Sequence, residues 1–334
     1  MLDINRLCRH RRNSGSTALK VKNCDCPIRF HCFWSPVKND NCVKLSQEKL
    51  GSSIIHSNSK INLGLWVTNK RSDGYHDLET VMHPLTFMDT IELHPDYSDQ
   101  NRISIQTKGH ILDIPPQENL IFKAYQLLVK RFTKLPSLKV TLWKKIPAGS
   151  GLGGGSANAT FFIVGCNELF KLGMNNFETK SVCKAIGSDC SYFLFNKPAL
   201  ALGRGDLLKP VPLDLSKYCL LVVCPNIRIS TNEAFKLIRP KTRKERLEEI
   251  ICLPVSTWRD QLQNDFENVI FQRYPSLERI KNSLYENGAT YASMSGTGSS
   301  VYGIFETIPD ISVFKNYTIH VELPRDANFQ KNSN

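Results

Sequence analysis

The chain has 334 residues, enough for one large domain or two of ordinary size, and its 41% hydrophobic and 22% charged residues are typical of a globular protein. No stretch approaches the ~18 consecutive apolar residues that a membrane helix needs, so we expect no membrane partner. The formal net charge is +12, but we find no RNA-binding aromatic signature and no helix-turn-helix pattern, so we expect no nucleic-acid partner either.

Residues 1–50 differ from the rest of the chain. They carry ten Lys/Arg against four Asp/Glu and five of the eleven cysteines, without a sustained hydrophobic period. We favour a disordered extension, but a plastid transit peptide, which Asp3 disfavours, and a zinc site remain open. The candidate zinc ligands, whose spacing is unusual, are Cys24, Cys26, His31 and Cys32. The other six cysteines mostly fall in apolar patterns, which indicates buried thiols in a reducing compartment such as the cytoplasm.

Ordered structure is predicted to begin near Ile54. The apolar residues Ile61, Leu63, Leu65 and Val67 alternate with other residues, which is typical of a half-buried strand. Similar patterns predict strands over residues 60–68, 78–85, 90–94, 103–107 and 138–143. Helical periods predict helices over residues 119–132, 156–171 and 177–186, with Asp189 in a loop after the last of them.

The second half is predicted to contain a separate, smaller α+β unit. A strand and a tight turn are predicted over residues 199–205, before this unit, and strands within it are predicted over residues 219–224, 291–294, 301–305 and 319–323. Helices are predicted over residues 232–238, 241–250, 264–271 and 276–285. We place the domain boundary near residue 215, and we expect residues 326–334 to be a frayed tail.

A glycine-rich stretch at residues 147–159 joins strand 138–143 to helix 156–171. Five of the seven residues 149–155 are glycine, so the backbone can adopt positive φ and present free N–H groups at a helix N-terminus. Such a loop is suited to a phosphate chain. A Walker-type loop ends in Gly-Lys-Ser/Thr, whereas here Gly155-Ser156 ends the loop without a lysine. We therefore predict a different phosphate loop, since a flexible linker would not usually lie between a strand and an apolar helix.

Further motifs accompany this loop and suggest a family. They are Lys60-Ile-Asn-Leu, Asp73-Gly-Tyr-His76, Gly187-Ser-Asp-Cys190, Gly203-Arg-Gly205 and Met294-Ser-Gly-Thr-Gly-Ser-Ser300. In this order and spacing they resemble the GHMP small-molecule kinases, in particular the branch that acts on a cytidine diphosphate-linked methylerythritol. The resemblance runs from about Ser53 to Phe305 and beyond, and it leaves out residues 1–50.

The resemblance implies an α+β fold and a reaction. The fold would have a domain like ribosomal protein S5 domain 2 over residues 51–214 and a ferredoxin-like domain over residues 215–325. The reaction would transfer phosphate from ATP, with Mg²⁺, to the 2-hydroxyl of the methylerythritol moiety in non-mevalonate isoprenoid synthesis. The protein would act on this small molecule as a monomer or homodimer.

The resemblance also implies roles for individual residues. Asp189 would accept or orient the hydroxyl proton, and Lys60 would stabilise developing charge and favour ionised Asp189. The nucleotide-binding residues would be Lys144, Pro147, Gly149, Ser150, Gly151, Leu152, Gly153, Gly154, Gly155 and Ser156, with Ser156 either a Mg²⁺ ligand or a helix N-cap. The substrate-binding residues would be Tyr75 and Phe235 stacked on cytosine, His76 at its polar edge, Asn62 at the methylerythritol hydroxyls, and Gly296 and Thr297 in a closing loop.

Other interpretations remain open. Three residues could instead have no part in catalysis or binding: Lys60 could be a surface residue, Asp189 a turn residue and Tyr75 a core residue. Another GHMP kinase, such as homoserine or mevalonate kinase, is disfavoured because its substrate has no base for Tyr75 and Phe235 to stack on. A non-catalytic RNA-binding protein on the same scaffold is disfavoured because Lys60, Asp189 and the glycine loop occur together.

Overall fold

The computed structural model describes residues 46–48, 52–100, 102–110, 112 and 114–325. The predicted zinc ligands, the transit-peptide interpretation and the predicted tail at residues 326–334 lie outside the described residues. The predicted extension is wrong at one point, because Ser46–Glu48 forms a strand that pairs with residues 52–54. Ordered structure therefore begins before Ile54.

Within the described residues, the first half of the chain forms a seven-stranded sheet. Its strands are β1 Ser46–Glu48, β2 Ser52–Lys70, β3 His76–Gln100, β4 Ile103–Gly109, β5 Pro136–Lys144, β6 Ala199–Gly203 and β7 Leu207–Pro210. The main order is β1-β2-β3-β5-β4, and β6 pairs with β3 and β7. The β4–β5 pair is parallel, and the other pairs are antiparallel.

The hairpin of β2 and β3 is longer than the sequence pattern indicated. The predicted strands 78–85 and 90–94 are parts of the single strand β3. Opposite Ser59 the register slips, because Asn58 pairs with Met88 and Lys60 pairs with Pro84. This bulge interrupts the alternation of apolar residues, so one bent strand resembles two in sequence.

Four helices accompany the first sheet: α1 Leu120–Arg131, α2 Gly154–Leu169, α3 Asn176–Ile186 and α4 Ser188–Phe195. The first three agree with the predicted helices to within about two residues. The fourth corrects the predicted loop, because Asp189 lies in the first turn of a helix. Gly187 alone separates α3 from α4, so the end of one apolar helix runs directly into the start of the next.

The second half forms a four-stranded antiparallel sheet with the order β11-β8-β10-β9. Its strands are β8 Cys219–Cys224, β9 Tyr291–Met294, β10 Val301–Phe305 and β11 Thr318–Glu322. Its helices are α5 Thr231–Leu237, α6 Leu247–Ile250, α7 Trp258–Gln261, α8 Glu267–Arg273 and α9 Pro275–Glu286. None of the described helices combines the length and apolar character that crossing a membrane requires.

The predicted helix over residues 241–250 is wrong except for its last turn, α6. The backbone N–H of Lys241 donates to the carbonyl of Val67 at 2.9 Å, and Arg243 pairs with the buried Asp265 and lies over the Trp66 ring. Because these contacts hold residues 241–246 against β2, tertiary structure overrides a sequence that favours a helix.

Strand β2 joins the two halves of the protein. Leu65 exchanges backbone hydrogen bonds with the segment before α8, donating to Gln263 at 3.0 Å and accepting from Asp265 at 2.8 Å. On the same strand, the Asn62 carbonyl accepts a hydrogen bond from the Tyr302 hydroxyl at 2.8 Å. Residues of β2 near these contacts are buried in a core to which both sheets contribute side chains. The domain boundary near residue 215 stays a prediction.

We expect Asn264→Asp to destabilise the protein strongly. Asn264 is 2% exposed, and its amide nitrogen donates to the carbonyls of Met294 and Gly296 at 2.8 Å each. The substitution would replace this double donor by an acceptor, at a cost of about 3 kcal/mol or more. Urea unfolding measures the loss. Asn287→Asp, which removes one exposed hydrogen bond to Asp310, is the control, and equal losses in the two variants would contradict the argument.

Candidate active site

A cleft of about 400 Å³ lies where the two halves of the protein meet. We call residues 147–155 the first glycine loop and residues 295–300 the second glycine loop; both contribute to its wall. The predicted site residues that line the cleft are Lys60, Asn62, Pro147, Gly149, Ser150, Gly151, Gly153, Gly154, Gly155, Ser156, Asp189, Phe235, Gly296 and Thr297. Those that do not line it are Tyr75, His76, Lys144 and Leu152. The structure thus brings together most of the predicted site.

The first glycine loop needs its glycines for both conformation and packing. Gly149, Gly151 and Gly153 have φ of +67°, +77° and +72°, which residues with a side chain rarely adopt. A Cβ atom on Gly151 would lie only 2.0 Å from the Ser295 carbonyl oxygen. The first intrahelical bond runs from Ala157 to Gly153, so the preceding N–H groups of α2 have no helical partner and suit an anion.

The two glycine loops are hydrogen-bonded to each other. The Ser295 hydroxyl donates to the Gly151 carbonyl at 3.0 Å, and the Ser300 N–H donates to the Ser150 carbonyl at 3.0 Å. Asn264 holds the other side of the second loop. The backbone of the first glycine loop is therefore fixed by contacts from both halves of the protein.

Lys60 is a buried residue on β2 that reaches the centre of the cleft. Only 3% of it is exposed, so the plainer interpretation of a surface lysine does not fit. Its ammonium donates to the Asn62 side-chain oxygen at 2.5 Å and to the Gly151 carbonyl at 3.1 Å. It lies 3.8 Å from the Asp189 carboxylate. Burial lowers the pKa of Lys60, and the negative charge of Asp189 opposes this shift.

Asp189 is open to a ligand while it faces Lys60. Its side chain is 35% exposed, compared with 4% for Lys60. The carboxylate stands in the first turn of α4, where the helix dipole favours negative charge. The Thr160 hydroxyl donates to the Cys190 carbonyl at 3.0 Å, which ties α2 to α4. The N-termini of these two helices are thus held on the same cleft.

Lys144 does not line the cleft, so its predicted contact with the nucleotide stays a prediction. The residue is 4% exposed, and its ammonium lies 2.5 Å from the carboxylate of the fully buried Asp89. Asp89 also accepts hydrogen bonds from the backbone N–H groups of Lys145 and Ile146, at 2.8 and 2.9 Å, and from Asn158 of α2, at 2.9 Å. The Lys144–Asp89 pair therefore holds β5 and α2 together under the first glycine loop.

The predicted base-binding residues lie beside the cleft. Phe235 lines it and faces the His76 ring, with 5.2 Å between ring centres and a tilt of 30°. Tyr75 is 52% exposed, which excludes the core position, and the Arg204 guanidinium lies 3.7 Å from its ring centre. Each of Tyr75 and His76 thus contacts a residue that lines the cleft, but the structure does not itself stack Tyr75 against Phe235.

The sequence alone indicated no role for Asp89 or for Arg204. Asp89 stood just before the predicted strand 90–94, and nothing in the local pattern indicated that its carboxylate would be fully buried. Arg204 belonged to the Gly203-Arg-Gly205 motif, but no role was attached to it. The signal for Arg204 was a charged residue between two glycines after an apolar strand.

The cleft offers few protein ligands for a metal ion. Among the described residues, no three His, Cys, Asp or Glu side chains are grouped so that they could hold a metal. Mg²⁺ usually takes one or two protein ligands and fills its octahedron with phosphate oxygens and water. Ser156, in the first turn of α2, is a partly exposed residue that lines the cleft, so the residues present fit an ion bound mainly through a nucleotide.

Comparison with known proteins identifies the family. The GHMP kinases N terminal domain matches residues 119–197, and the GHMP kinases C terminal domain matches residues 244–312. A 4-diphosphocytidyl-2-C-methyl-D-erythritol kinase of Parabacteroides distasonis is 43% identical over 253 residues, covering 76% of this chain and 92% of the relative. This chain belongs to the 4-diphosphocytidyl-2-C-methyl-D-erythritol kinase family. A further member, from Azobacteroides pseudotrichonymphae, is 45% identical over 269 residues and covers 80% of this chain and 98% of its own length.

Solved structures agree with the family. A crystal structure of 4-(cytidine 5'-diphospho)-2C-methyl-D-erythritol kinase has 27% identity and a TM-score of 0.60, covering 75% of this chain and 89% of its own. The mevalonate kinase of Methanococcus jannaschii has a TM-score of 0.62 at 14% identity, covering 82% of this chain and 98% of its own, and shows a shared fold alone. The predicted GHMP kinase fold and the predicted kinase activity are confirmed.

We expect the buried Lys144–Asp89 pair to show strong coupling in stability. Asp89→Asn would leave a buried lysine without its counter-charge, at a cost of about 3–5 kcal/mol. Lys144→Met would leave a buried carboxylate and cost about as much. The double variant should lose less stability than the sum of the losses in the two single variants, because neither charge remains. Urea unfolding of the four proteins measures the coupling.

The control for this cycle is the pair of Lys139 and Asp96, whose charged atoms lie 2.8 Å apart and whose side chains are 69% and 21% exposed. Asp96→Asn should cost about 1 kcal/mol or less, because water screens the pair. Additive losses at Lys144 and Asp89 would contradict a supporting role for the buried pair.

Proposed function

We propose that the protein transfers the γ-phosphoryl group of ATP to the 2-hydroxyl of 4-diphosphocytidyl-2-C-methyl-D-erythritol, a step of non-mevalonate isoprenoid synthesis. The observation that carries this proposal is the Lys60–Asp189 pair at the first glycine loop, in a chain that belongs to the kinase family of that name. The predicted cytoplasmic location, the monomer or homodimer and the lack of a nucleic-acid partner stay predictions.

The first glycine loop would bind the triphosphate of ATP. Phosphoryl transfer depends mainly on positioning and on neutralising charge. The free N–H groups at the start of α2 supply donors in a fixed arrangement. Ser156 would hold Mg²⁺ together with phosphate oxygens, and the bound ion supplies further neutralisation of phosphate charge.

Asp189 would act on the acceptor hydroxyl. Its carboxylate is the exposed member of the pair, so it can take or orient the proton of the 2-hydroxyl as the oxygen attacks the γ-phosphorus. The Lys60 ammonium beside it would stabilise charge on the transferred group. The contact from Lys60 to the Gly151 carbonyl fixes the ammonium relative to the phosphate loop.

Asn62 retains capacity for the substrate hydroxyls. Its side-chain oxygen accepts from Lys60, and its amide nitrogen donates to the Thr80 hydroxyl at 3.0 Å. An amide has two acceptor and two donor sites, so one of each remains for a ligand. Tyr75 and Phe235 would stack on the cytosine, and His76 would read its polar edge. The second glycine loop, through Gly296 and Thr297, would contact the phosphates or the substrate.

We expect Asp189→Asn to lower kcat by about 10²- to 10⁴-fold, because the general base is lost while the shape of the side chain is kept. The dissociation constant of ATP should change by no more than about twofold, since the carboxylate is not part of the phosphate loop. Coupled ADP release measures kcat, and calorimetry measures binding. Asp310→Asn, an exposed carboxylate in the second half, is the control.

The acceptor is tested by the same assay. The wild-type protein should consume ATP with 4-diphosphocytidyl-2-C-methyl-D-erythritol and not with mevalonate, homoserine or RNA. Turnover with one of those other compounds, or near-normal turnover in Asp189→Asn, would overturn the assignment.

We also expect Tyr75→Ala to weaken the binding of the cytidyl substrate about 5- to 150-fold, because stacking of a base on an aromatic ring is worth roughly 1–3 kcal/mol. Tyr75→Phe keeps the ring and should have a small effect, so it is the matched control. ATP affinity should be unchanged in both. Titration of each variant with both ligands measures this, and equal weakening of ATP and cytidyl substrate would show a role in folding instead.

A further inference from the structure

Arg204 is displayed at the tip of a tight turn that faces the cleft. It stands between Gly203 and Gly205, whose φ values of +64° and +88° allow the chain to reverse between β6 and β7. The register of β6 against β3 fixes the start of this turn, because Gly203 pairs with Leu78. Arg204 and Gly205 both line the cleft that contains Lys60 and Asp189.

The Arg204 guanidinium has free donors. Among the described residues, no carboxylate lies within the 4 Å of an ion pair and none accepts a hydrogen bond from it; its close contact is the Tyr75 ring. The neighbouring carboxylates have cations of their own, since Asp73 pairs with Arg71 at 3.1 Å and Asp206 pairs with Lys184 at 2.7 Å. Arg204 is therefore a cation at the cleft whose N–H groups are available to an anion.

The chemistry of the proposed acceptor identifies the anion that Arg204 would bind, and this identification rests on the proposed function. In that molecule a diphosphate joins the cytidine to the methylerythritol. If the base lies at Tyr75 and the reacting hydroxyl lies at Asp189, the diphosphate must pass between them. Arg204 contacts Tyr75 and lines the cleft beside Lys60 and Asp189, so it lies along this path.

We propose that Arg204 binds the diphosphate of the acceptor substrate and thereby selects acceptors that carry a cytidine diphosphate. A planar guanidinium presents paired donors that match phosphate oxygens, and it is less strongly hydrated than an ammonium. Lys60 is committed to Asn62, the Gly151 carbonyl and Asp189. Among the described residues that line the cleft, Arg204 is the other cation, so it can serve the second set of phosphates.

The test compares two simple ligands, CDP and cytidine, by ligand-observed NMR. Arg204→Gln should weaken the binding of CDP about 10- to 150-fold, which is the range expected for hydrogen bonds to a charged group. It should change the affinity for cytidine by no more than about threefold. Arg204→Lys should recover part of the CDP affinity. Steady-state kinetics should show a similar rise in KM for the acceptor, with kcat and the KM for ATP close to wild type.

Arg259→Gln is the matched control, because the Arg259 guanidinium also lies over a tyrosine ring, 4.3 Å from the centre of Tyr285, but Arg259 does not line the cleft. It should leave CDP affinity unchanged. Arg204 is exposed, so Arg204→Gln should keep the wild-type melting temperature.

Two outcomes would overturn the proposal. Equal weakening of CDP and cytidine in Arg204→Gln would mean that Arg204 only supports the Tyr75 ring. Unchanged CDP affinity would mean that the diphosphate is bound elsewhere. Failure of the proposed function is a distinct result, seen in the wild-type protein alone: it would bind neither CDP nor cytidine and would not phosphorylate the cytidyl acceptor.

Discussion

A buried lysine ammonium on β2 constrains the architecture of the candidate active site. Lys60 is 3% exposed, and a charge removed from water must be surrounded by acceptors. Three are supplied from separate parts of the chain: Asn62 two residues along β2, the Gly151 carbonyl in the first glycine loop, and Asp189 at the start of α4. Because the buried ammonium needs these acceptors, the first glycine loop and the proposed base both lie against Lys60.

The rest of the fold keeps these acceptors in place. The second glycine loop fixes Gly151 through Ser295, and Thr160 ties the helix that carries Asp189 to the helix that follows the phosphate loop. Beneath the loop, the buried Asp89 holds the backbone of residues 145–146. Strand β2 bonds to both halves of the chain, so a change in how the halves meet would move Lys60 itself. The site is thus a property of the interface between the two sheets.

Local patterns predicted much of this arrangement. Short, mostly apolar runs located β5, β8, β9 and β10, and helical periods located α1, α2 and α9, because burial of these elements selects apolar residues in the sequence. The glycines at 149, 151 and 153 predicted a loop with positive φ, which the structure has, whereas phosphate binding by this loop stays a prediction. The motif resemblance then brought Lys60 and Asp189 together, although they lie far apart in the chain.

Features that depend on tertiary contacts were not predictable in this way. The stretch at residues 241–246 has a helical composition but is held along β2 by Arg243 and Asp265. Lys144 stands next to the phosphate loop in sequence, yet its side chain points to Asp89, whose burial no local pattern revealed. The helical environment of Asp189 was missed because a single glycine separates two helices. In each case a distant partner, and not the neighbouring residues, decides the structure.

A crystal structure of the protein with a non-hydrolysable ATP analogue and 4-diphosphocytidyl-2-C-methyl-D-erythritol tests the central claim most directly. The account predicts the triphosphate on the N–H groups at the start of α2. It also predicts the 2-hydroxyl within hydrogen-bond distance of the Asp189 carboxylate, about 2.6–3.2 Å, beside the Lys60 ammonium. An acceptor hydroxyl bound away from Asp189, or a triphosphate that does not contact the first glycine loop, would contradict it.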